Sequence, residues 1–456
     1  MEIYPDKLEI MSDVLKTEGD VNLSEERILW QQKNITDAET LAVLEEDSKV
    51  FLHQAMSTPC LDVLSSCSDS SISNLKDKEY LDFHGNNVHQ VGFSNPFIVE
   101  QIKKQLDELS FSTRRYTNKT AVDFAKHLTS LLPDGLDRVL FAPGGTSVVS
   151  MALKLARVVT DKHKVISYWD SFHGASLDAI SAGGEAVFRQ YMGPMMPGVI
   201  RIPPPMNTSG FFEDEMKSAD YLEYIIEKEG EIGAFIAETV RNTDVQIPSK
   251  KYWKRIREIC TKHHVLLILD EIPIALGRTG KMFAFENFDI EPDILCLGKG
   301  LGGGIIPFAA MVCREEYNIA QDISLGHFTH EKSPLGCAAA QAVLSLIEKD
   351  NVLQKVNEDA LFMESELAIL KNKYPIISHI RGLGLLWGLE LRDQKTGTPA
   401  TETAEKIMYN CLTLGLSFKV SQGHVLQLSP ALTISRSDLQ KALNILDNAF
   451  SLLYKR

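Results

Sequence analysis

The chain has 456 residues, 44% of them hydrophobic, which is enough apolar material for a large core and predicts two packed domains. Its 61 acidic and 47 basic residues give a net charge of -14, which argues against nucleic acid or an anionic membrane as a partner. The acidic first residues lack the apolar core of a secretory signal, and the seven scattered cysteines show no metal-ligand or disulfide spacing, so we expect a cytoplasmic protein without a metal site.

The first 75 residues are polar and helix-prone. We interpret residues 1–80 as an N-terminal extension that contributes to a small domain. Within it, Ser65–Ser73 is rich in serine and indicates a loop, after which Lys78–Phe83 predicts a short edge strand. No residue of the extension suggests chemistry.

Two polar clusters follow the extension. Asn86, Asn87 and His89 come directly after the predicted edge strand, and such a run is either a loop or one wall of a site. Arg114 and Arg115 are either part of a solvated face or bind a phosphate or phosphonate group, because guanidinium groups bind such oxygens in pairs. The residues alone leave both questions open.

A strand, a glycine turn and an amphipathic helix occupy residues 138–159. The strand Arg138–Ala142 leads into Gly145 and Thr146, and helical spacing begins at Val148. A turn that feeds a helix N-terminus presents unpaired N–H groups and the positive end of the helix dipole. The pattern therefore predicts an anion site suited to a phosphate-bearing cofactor.

Two later strands carry the strongest chemical signal. The runs Val265–Leu269 and Ile294–Leu297 are continuously apolar, which is typical of buried parallel strands. Asp270 ends the first run, and Lys299 follows the second at the start of a glycine-rich loop. A lysine between glycines is often only a surface turn. Here the neighbouring carboxylate favours a Schiff-base lysine that holds pyridoxal phosphate (PLP), with Asp270 keeping the pyridine nitrogen protonated.

Strands alternate with helices from about residue 80 to residue 330, which predicts an α/β fold with a mostly parallel sheet. In such a sheet the functional residues gather at the carboxyl ends of the strands. After Pro334, two helices, a β-rich piece and a final helix predict a smaller α+β domain. The predicted limits are 81–335 for the large PLP-binding domain and 336–456 for the small C-terminal domain.

From about residue 80 to residue 445, a series of ordered motifs resembles the class III aminotransferases, PLP enzymes of fold type I. Each motif is weak, whereas their order and spacing together are specific. The motifs are Gly145-Thr146, Phe172-His173-Gly174, Ala237-Glu238, Leu269-Asp270-Glu271, Gly277-Arg278-Thr279-Gly280, Lys299 to Gly304, Thr329 and Arg381-Gly382-Leu383-Gly384.

The resemblance implies that Lys299 binds the cofactor covalently and that Asp270 pairs with its ring nitrogen. Thr329 resembles a phosphate ligand that the partner subunit donates, which implies a homodimer with shared active sites. The other implied cofactor-binding residues are Gly145 and Thr146 at the phosphate, Phe172 against the ring, and Glu238.

The chain also departs from the family pattern. Ile272 and Pro273 stand where the family usually has a small or apolar residue and then a glutamine. Gln427 stands where many members have an arginine that binds the substrate α-carboxylate, so a permanent charge is missing. These departures argue against ordinary transamination of α-amino acids.

Three functions are compatible with the motifs. The first is a lyase, similar to the bacterial ammonia-lyases that convert 1-hydroxy-2-aminoethylphosphonate into phosphonoacetaldehyde and ammonia in phosphonate catabolism. The second is an ω-aminotransferase that uses a terminal amine and a keto acid, and the third is a non-catalytic PLP-fold protein, which the presence of Lys299 and Asp270 disfavours. We favour the lyase, for which the candidate substrate residues are Arg114 and Arg115 at the phosphonate and Asn86, Asn87, His89 or His330 at the departing hydroxyl.

Overall fold

The structure is a computed structural model that describes residues 24–54, 60–206 and 211–454. It divides into two compact units. The larger unit comprises Asn86–Asn242 and Gln246–Val356, and the smaller comprises the described residues up to Gly85, Thr243–Val245 and the described residues from Asn357 onward. The predicted domain limits stay a prediction, and the part of the predicted extension before residue 24 lies outside the described residues.

The strands, in chain order, are β1 (Leu64–Ser68), β2 (Ser71–Asn74), β3 (Glu79–Asp82), β4 (Leu136–Ala142), β5 (Lys164–Tyr168), β6 (Val199–Ile202), β7 (Ile232–Ala237), β8 (Leu266–Asp270), β9 (Ile294–Leu297), β10 (Ala309–Arg314), β11 (Ile377–Leu383), β12 (Leu386–Leu391), β13 (Leu416–Ser417), β14 (Lys419–Ser421) and β15 (Val425–Leu428).

The α-helices are α1 (Glu25–Asn34), α2 (Ala38–Val50), α3 (Pro96–Glu108), α4 (Lys119–Ser130), α5 (Gly145–Thr160), α6 (Leu177–Ala182), α7 (Ala186–Arg189), α8 (Glu215–Glu229), α9 (Lys250–His263), α10 (Pro334–Lys349), α11 (Val352–Lys373), α12 (Thr401–Thr413) and α13 (Arg436–Tyr454). Many begin at a side chain that accepts a hydrogen bond from the first turn, as Asn118 does from Ala121 N at 2.8 Å. Within the described residues, no helix is both long and apolar enough to cross a membrane.

The larger unit is built on a seven-stranded sheet in the order β4-β10-β9-β8-β7-β5-β6. Strand β10 is antiparallel to both of its neighbours, and the remaining adjacent pairs are parallel. Helix α5 packs its apolar face, including Val148 and Ala152, into the same core cluster as Ile236 and Ile268 of the sheet. This arrangement places the ends of β4, β7, β8 and β9 at one edge.

The smaller unit contains two four-stranded sheets, β1-β2-β3-β13 and β11-β12-β15-β14. Helix α1 joins it through Trp30, whose indole N–H donates to Thr413 Oγ1 at 3.0 Å. A mostly parallel large sheet with a smaller α+β unit confirms the predicted fold class.

The predicted loop at Ser65–Ser73 is wrong, because this stretch forms the antiparallel hairpin of β1 and β2. Cys67 pairs with Ile72, and Ser68 pairs with Ser71. Strand β1 is exposed along its whole length, so it carries none of the apolar alternation from which strands are predicted. Its backbone hydrogen bonds to β2 hold it instead.

Candidate active site

Asp270 and Lys299 emerge at the same edge of the large sheet. Asp270 is the last residue of β8 and pairs with Cys296 of the parallel strand β9, which ends at Leu297. Lys299 therefore follows immediately, in the short 3-10 turn Lys299–Gly302. The fold brings together the two residues that the sequence singled out.

Asp270 is held by two hydrogen bonds from its own chain. Its side chain is almost fully buried, Oδ2 lies 2.8 Å from His173 Nδ1, and Ile272 N donates to Oδ1 at 3.1 Å. Both contacts fix the direction of the carboxylate. A buried, oriented carboxylate at this edge fits the protonated ring nitrogen of a pyridine cofactor.

His173 contacts Asp270, although the sequence assigned it no role beyond its place in the Phe-His-Gly motif. It is 2% exposed, and its other ring nitrogen, Nε2, has no hydrogen-bond partner among the described residues. The contact with Asp270 crosses β7, which lies between β5 and β8 in the sheet. A histidine directly after a strand end at the site edge was the available signal.

The predicted anion cradle lies at the N-terminus of α5, and its role stays a prediction. Gly144 caps the helix without a side-chain hydrogen bond, and residues 144–147 are half-buried. Gly174 has φ +131, and a Cβ there would lie 2.5 Å from Thr146 Oγ1, while Ala175 N donates to the same oxygen at 3.2 Å. The turn after Phe172 thus packs on Thr146, and the first N–H groups of α5 are of the kind that a helix N-terminus offers to a phosphate.

Ile272 lies between the cradle and the lysine turn. A Cβ on Gly145 would lie 2.7 Å from Ile272 Cδ1, and a Cβ on Gly298 would lie 3.3 Å from Ile272 Cγ2. A side chain at either position would therefore have to displace Ile272, by more at Gly145 than at Gly298. Ile272, which the sequence marked as a departure, supplies an apolar wall that links Gly145 to the residue before Lys299.

Phe172 and Glu238 flank this edge. Phe172 is 36% exposed, and its ring centroid lies 4.5 Å from that of Phe188, so one part of the ring is packed and another is open to a ligand. Glu238 follows β7, and its Oε2 accepts from Asn242 N at 2.9 Å. Burial raises the pKa of Glu238, with His173 lowering it and Asp270 raising it, so all three share one electrostatic environment. The predicted cofactor roles of Phe172 and Glu238 stay predictions.

Asn86, Asn87 and His89 fall in and after a short 3-10 turn, in different environments. Asn86 is exposed, whereas Asn87 and His89 are buried, and His89 stacks on Phe93 with ring centroids 4.8 Å apart. Both asparagines have positive φ, of 46 and 58, a conformation that asparagine tolerates better than most residues. His89 thus has an interior packing partner, and the substrate roles of the three residues stay predictions.

The remaining candidates lie together on an exposed surface. Arg114 and Arg115 are exposed, as are Thr329 and His330. The two segments are joined because the Phe111 ring meets the His330 ring edge-on at 5.3 Å and Asn118 Nδ2 donates to Lys332 O at 3.0 Å. We name this surface the 110/330 surface, after segments 110–118 and 328–333.

Gln427 lies in the smaller unit, in the centre of the sheet that contains β15. It is 1% exposed, pairs with Gly388 of β12, and its Oε1 accepts from Ser421 Oγ at 3.4 Å. The same unit contains a buried ion pair, in which Arg381 donates to Glu390 and also to Val245 O at 3.2 Å. The position that the sequence compared with a carboxylate-binding arginine is therefore a neutral, buried carboxamide.

Among the described residues, Glu223, Glu227 and His263 form one group whose potential metal-ligand atoms lie within 4.8 Å of one another. Lys262 Nζ, however, lies 2.8 Å from Glu223 and 4.0 Å from Glu227. The ammonium group occupies the position of a cation, so these residues form a surface ion-pair network.

Comparison with known proteins places this geometry in context. The family model described as aminotransferase class-III matches residues 55–450. The chain is 55% identical to the (R)-1-hydroxy-2-aminoethylphosphonate ammonia-lyase of Vibrio splendidus, in an alignment of 460 positions that covers 96% of each chain.

More distant relatives carry other activities on the same scaffold. A leucine/methionine racemase of Thermococcus litoralis is 31% identical over 90% of this chain and 95% of its own. A crystal structure of an amine transaminase from an uncultivated Pseudomonas species in its PLP-bound form matches with a TM-score of 0.83 and 27% identity, over 88% of this chain and 98% of that one. The scaffold is thus shared by proteins that carry three different reaction names.

Proposed function

Because the chain belongs to the class III aminotransferase family, we propose that it is a PLP-dependent ammonia-lyase that converts 1-hydroxy-2-aminoethylphosphonate into phosphonoacetaldehyde and ammonia. The proposed substrate rests on the 55% identity, over almost the whole of both chains, to a relative named for this activity. The cytoplasmic location and the place in phosphonate catabolism belong to the same proposal.

Different residues of the site are assigned to different parts of the cofactor. Asp270, which His173 orients, would hold a proton on the ring nitrogen. The N-terminus of α5 at Gly145 and Thr146 would bind the phosphate, and the partly exposed Phe172 would pack on the ring. When bound, PLP withdraws electrons from the amine-bearing carbon and makes its proton acidic.

Lys299 would hold the cofactor covalently. As a free amine it would act as the base that takes a proton from the amine-bearing carbon of the substrate. The neighbouring carbon then loses its hydroxyl group, which leaves as water after it gains a proton. The released enamine tautomerises, and water hydrolyses it to the aldehyde and ammonia. Water is lost once and gained once, so no amino acceptor is needed.

The substrate's other groups are assigned to residues by charge. Arg114 and Arg115 bind the phosphonate, and Asn86, Asn87, His89 or His330 holds the departing hydroxyl group. The exposure of the 110/330 surface in a single chain is consistent with a homodimer in which Thr329 contributes to the partner's phosphate site. The neutral Gln427 suits a substrate that lacks an α-carboxylate.

An ω-aminotransferase that uses a terminal amine and a keto acid is the second candidate, because the amine transaminase with the same fold has that chemistry in its name. It needs the same Lys299 and Asp270. The absence of an arginine at position 427 favours the lyase over transaminases of α-amino acids.

The test is ammonia release without any keto acid. The purified holoenzyme is incubated with a panel of small amino alcohols, with and without a phosphonate group. A lyase turns over continuously and releases one ammonia for each aldehyde formed. A single turnover that stops with the cofactor in its amine form, and resumes only when a keto acid is added, would instead establish the aminotransferase.

A further inference from the structure

Gln90 is a buried polar residue that the proposed chemistry does not use. It is 1% exposed and lies in a tight turn in which Gly92 N donates to His89 O at 3.0 Å. Neither Oε1 nor Nε2 of its carboxamide has a hydrogen-bond partner among the described residues. Leaving both polar atoms unpaired in the interior is destabilising, so a fold that keeps this residue gains something else from it.

The carboxamide of Gln90 lies directly on the main chain of Gly300. A Cβ built on Gly300 would overlap Oε1 and Cδ of Gln90 and would lie 2.8 Å from its Nε2. Position 300 therefore has to be glycine while Gln90 keeps this conformation. Gly300 is the residue directly after Lys299. Gln90 therefore contacts the backbone next to the reactive lysine.

The turn at Lys299 needs such support because its backbone is strained. Lys299 has φ 48, in the left-handed region that is unfavourable for a residue with a Cβ. On the other side of the lysine, Gly298 packs on Ile272 and Ala309, with would-be Cβ distances of 3.3 and 3.4 Å. Both neighbours of Lys299 are thus in close contact with other side chains. Gly298 contacts apolar groups, and Gly300 contacts the polar side chain of Gln90.

We propose that Gln90 is a positioning residue for Lys299 that acts through Gly300, an inference that rests on the proposed role of Lys299 as the cofactor-binding lysine. The carboxamide holds the turn in its left-handed conformation. Its unpaired donor and acceptor lie beside the backbone of Gly300. A purely space-filling role requires neither polar atom.

Gln90→Met separates these roles, because methionine has a similar length and no hydrogen-bonding groups. We expect the melting temperature of the holoenzyme to be unchanged or about 2 °C higher, since the unpaired amide is gone. We expect kcat to fall about tenfold with KM unchanged. The pH midpoint of the cofactor's visible absorption band, which reports the protonation of the lysine linkage, should shift by about half a unit or more.

Gln105→Met is the matched control in the same unit. Gln105 is also buried, but Nε2 donates to Leu109 O at 3.0 Å and Oε1 accepts from Thr120 Oγ1 at 2.9 Å. Its replacement should lower the melting temperature and leave kcat and the absorption band unchanged. The two glutamines should therefore respond in opposite ways to the same substitution.

A second pair of variants covers the case in which Gln90→Met does not fold. Gly300→Ala alone should lose cofactor binding, because its Cβ meets the carboxamide. Combined with Gln90→Ala it has room, so cofactor binding should return while kcat stays low and the band midpoint stays shifted.

A Gln90→Met protein, or the double variant, with the kcat and band midpoint of the original protein would overturn the proposal. The absorption band and borohydride trapping of the lysine do not depend on which amine is the substrate. Failure of the lyase assignment therefore leaves this test intact, whereas a holoenzyme without any trapped lysine removes the premise.

Discussion

The edge that carries Asp270 and Lys299 differs from the 110/330 surface in how its residues are held. Asp270 is almost fully buried and takes two hydrogen bonds from its own chain. Arg114 and Arg115, in contrast, are exposed. The difference teaches that contacts within one chain orient Asp270, whereas the residues proposed for the phosphonate lie open to solvent. Variants in both regions test this division.

Lys299→Ala should have the largest effect. It removes both the covalent link and the base, so we expect kcat to fall by about 10³-fold or more, with PLP still bound but not covalently. Ammonia release and the absorption spectrum after gel filtration measure the two parts. Lys251→Ala, which removes an exposed lysine of α9, is the control. Appreciable turnover by Lys299→Ala would contradict the assignment of this residue.

Asp270→Asn should follow, with a loss of about 10²-fold in kcat, because the neutral amide no longer stabilises the protonated ring nitrogen. His173→Gln should cost roughly tenfold, since one hydrogen bond to the carboxylate is weakened and the carboxylate itself remains. Steady-state kinetics and equilibrium dialysis of PLP check both variants. A larger loss for His173→Gln than for Asp270→Asn would mean that the histidine itself takes part in the reaction.

Arg114→Ala and Arg115→Ala probe the exposed region. If either guanidinium binds the phosphonate, KM for phosphonate substrates should rise about tenfold, while KM for uncharged amines stays nearly constant. Lys119→Ala removes a nearby exposed cation that pairs with Asp123 and serves as the control. Equal changes for both substrate classes would remove that arginine from the site.

Glu271→Gln should have the smallest effect, and on stability. Burial raises the pKa of Glu271 to about 7 from its ordinary value of 4.5, despite hydrogen bonds from Thr239 Oγ1 and two backbone N–H groups. Between these values the folded chain keeps a proton that the unfolded chain has lost, so this residue makes the free energy of unfolding fall as the pH rises from 4.5 through 7.

Between pH 5 and pH 7 this contribution amounts to about 2 kcal/mol. Glu271→Gln should therefore unfold in denaturant with a flatter dependence on pH than the original protein, because the glutamine does not titrate. Parallel curves for the two proteins would show that Glu271 does not titrate in this range.

The sequence predicted the parts of the site that lie on strand ends. Asp270 and Lys299 follow continuously apolar runs, and that local pattern determines where they emerge. His173 received no role because its partner is far along the chain and a strand away, a contact that no local pattern encodes. The sequence likewise does not identify Gln90, because the role proposed for it depends on its contact with Gly300.

The same limit applies to the fold. The apolar composition of β7, β8 and β9 predicts them as buried strands, because both faces of a central parallel strand are apolar. Strand β1 is exposed and made mostly of serine, so only its pairing with β2 defines it. Burial is thus readable from the sequence, whereas pairing between polar segments is not.

The sheet β1-β2-β3-β13 can be completed only late in synthesis, because β13 lies far along the chain from the other three strands. Strand β3 pairs in parallel with β13, where Leu81 lies opposite Leu416. Residues that are far apart in the sequence must therefore meet. As the ribosome releases the chain, all strands of the seven-stranded sheet, from β4 to β10, emerge before β13 exists. Strand β3 thus gains its parallel neighbour only after the strands of the large sheet have been made.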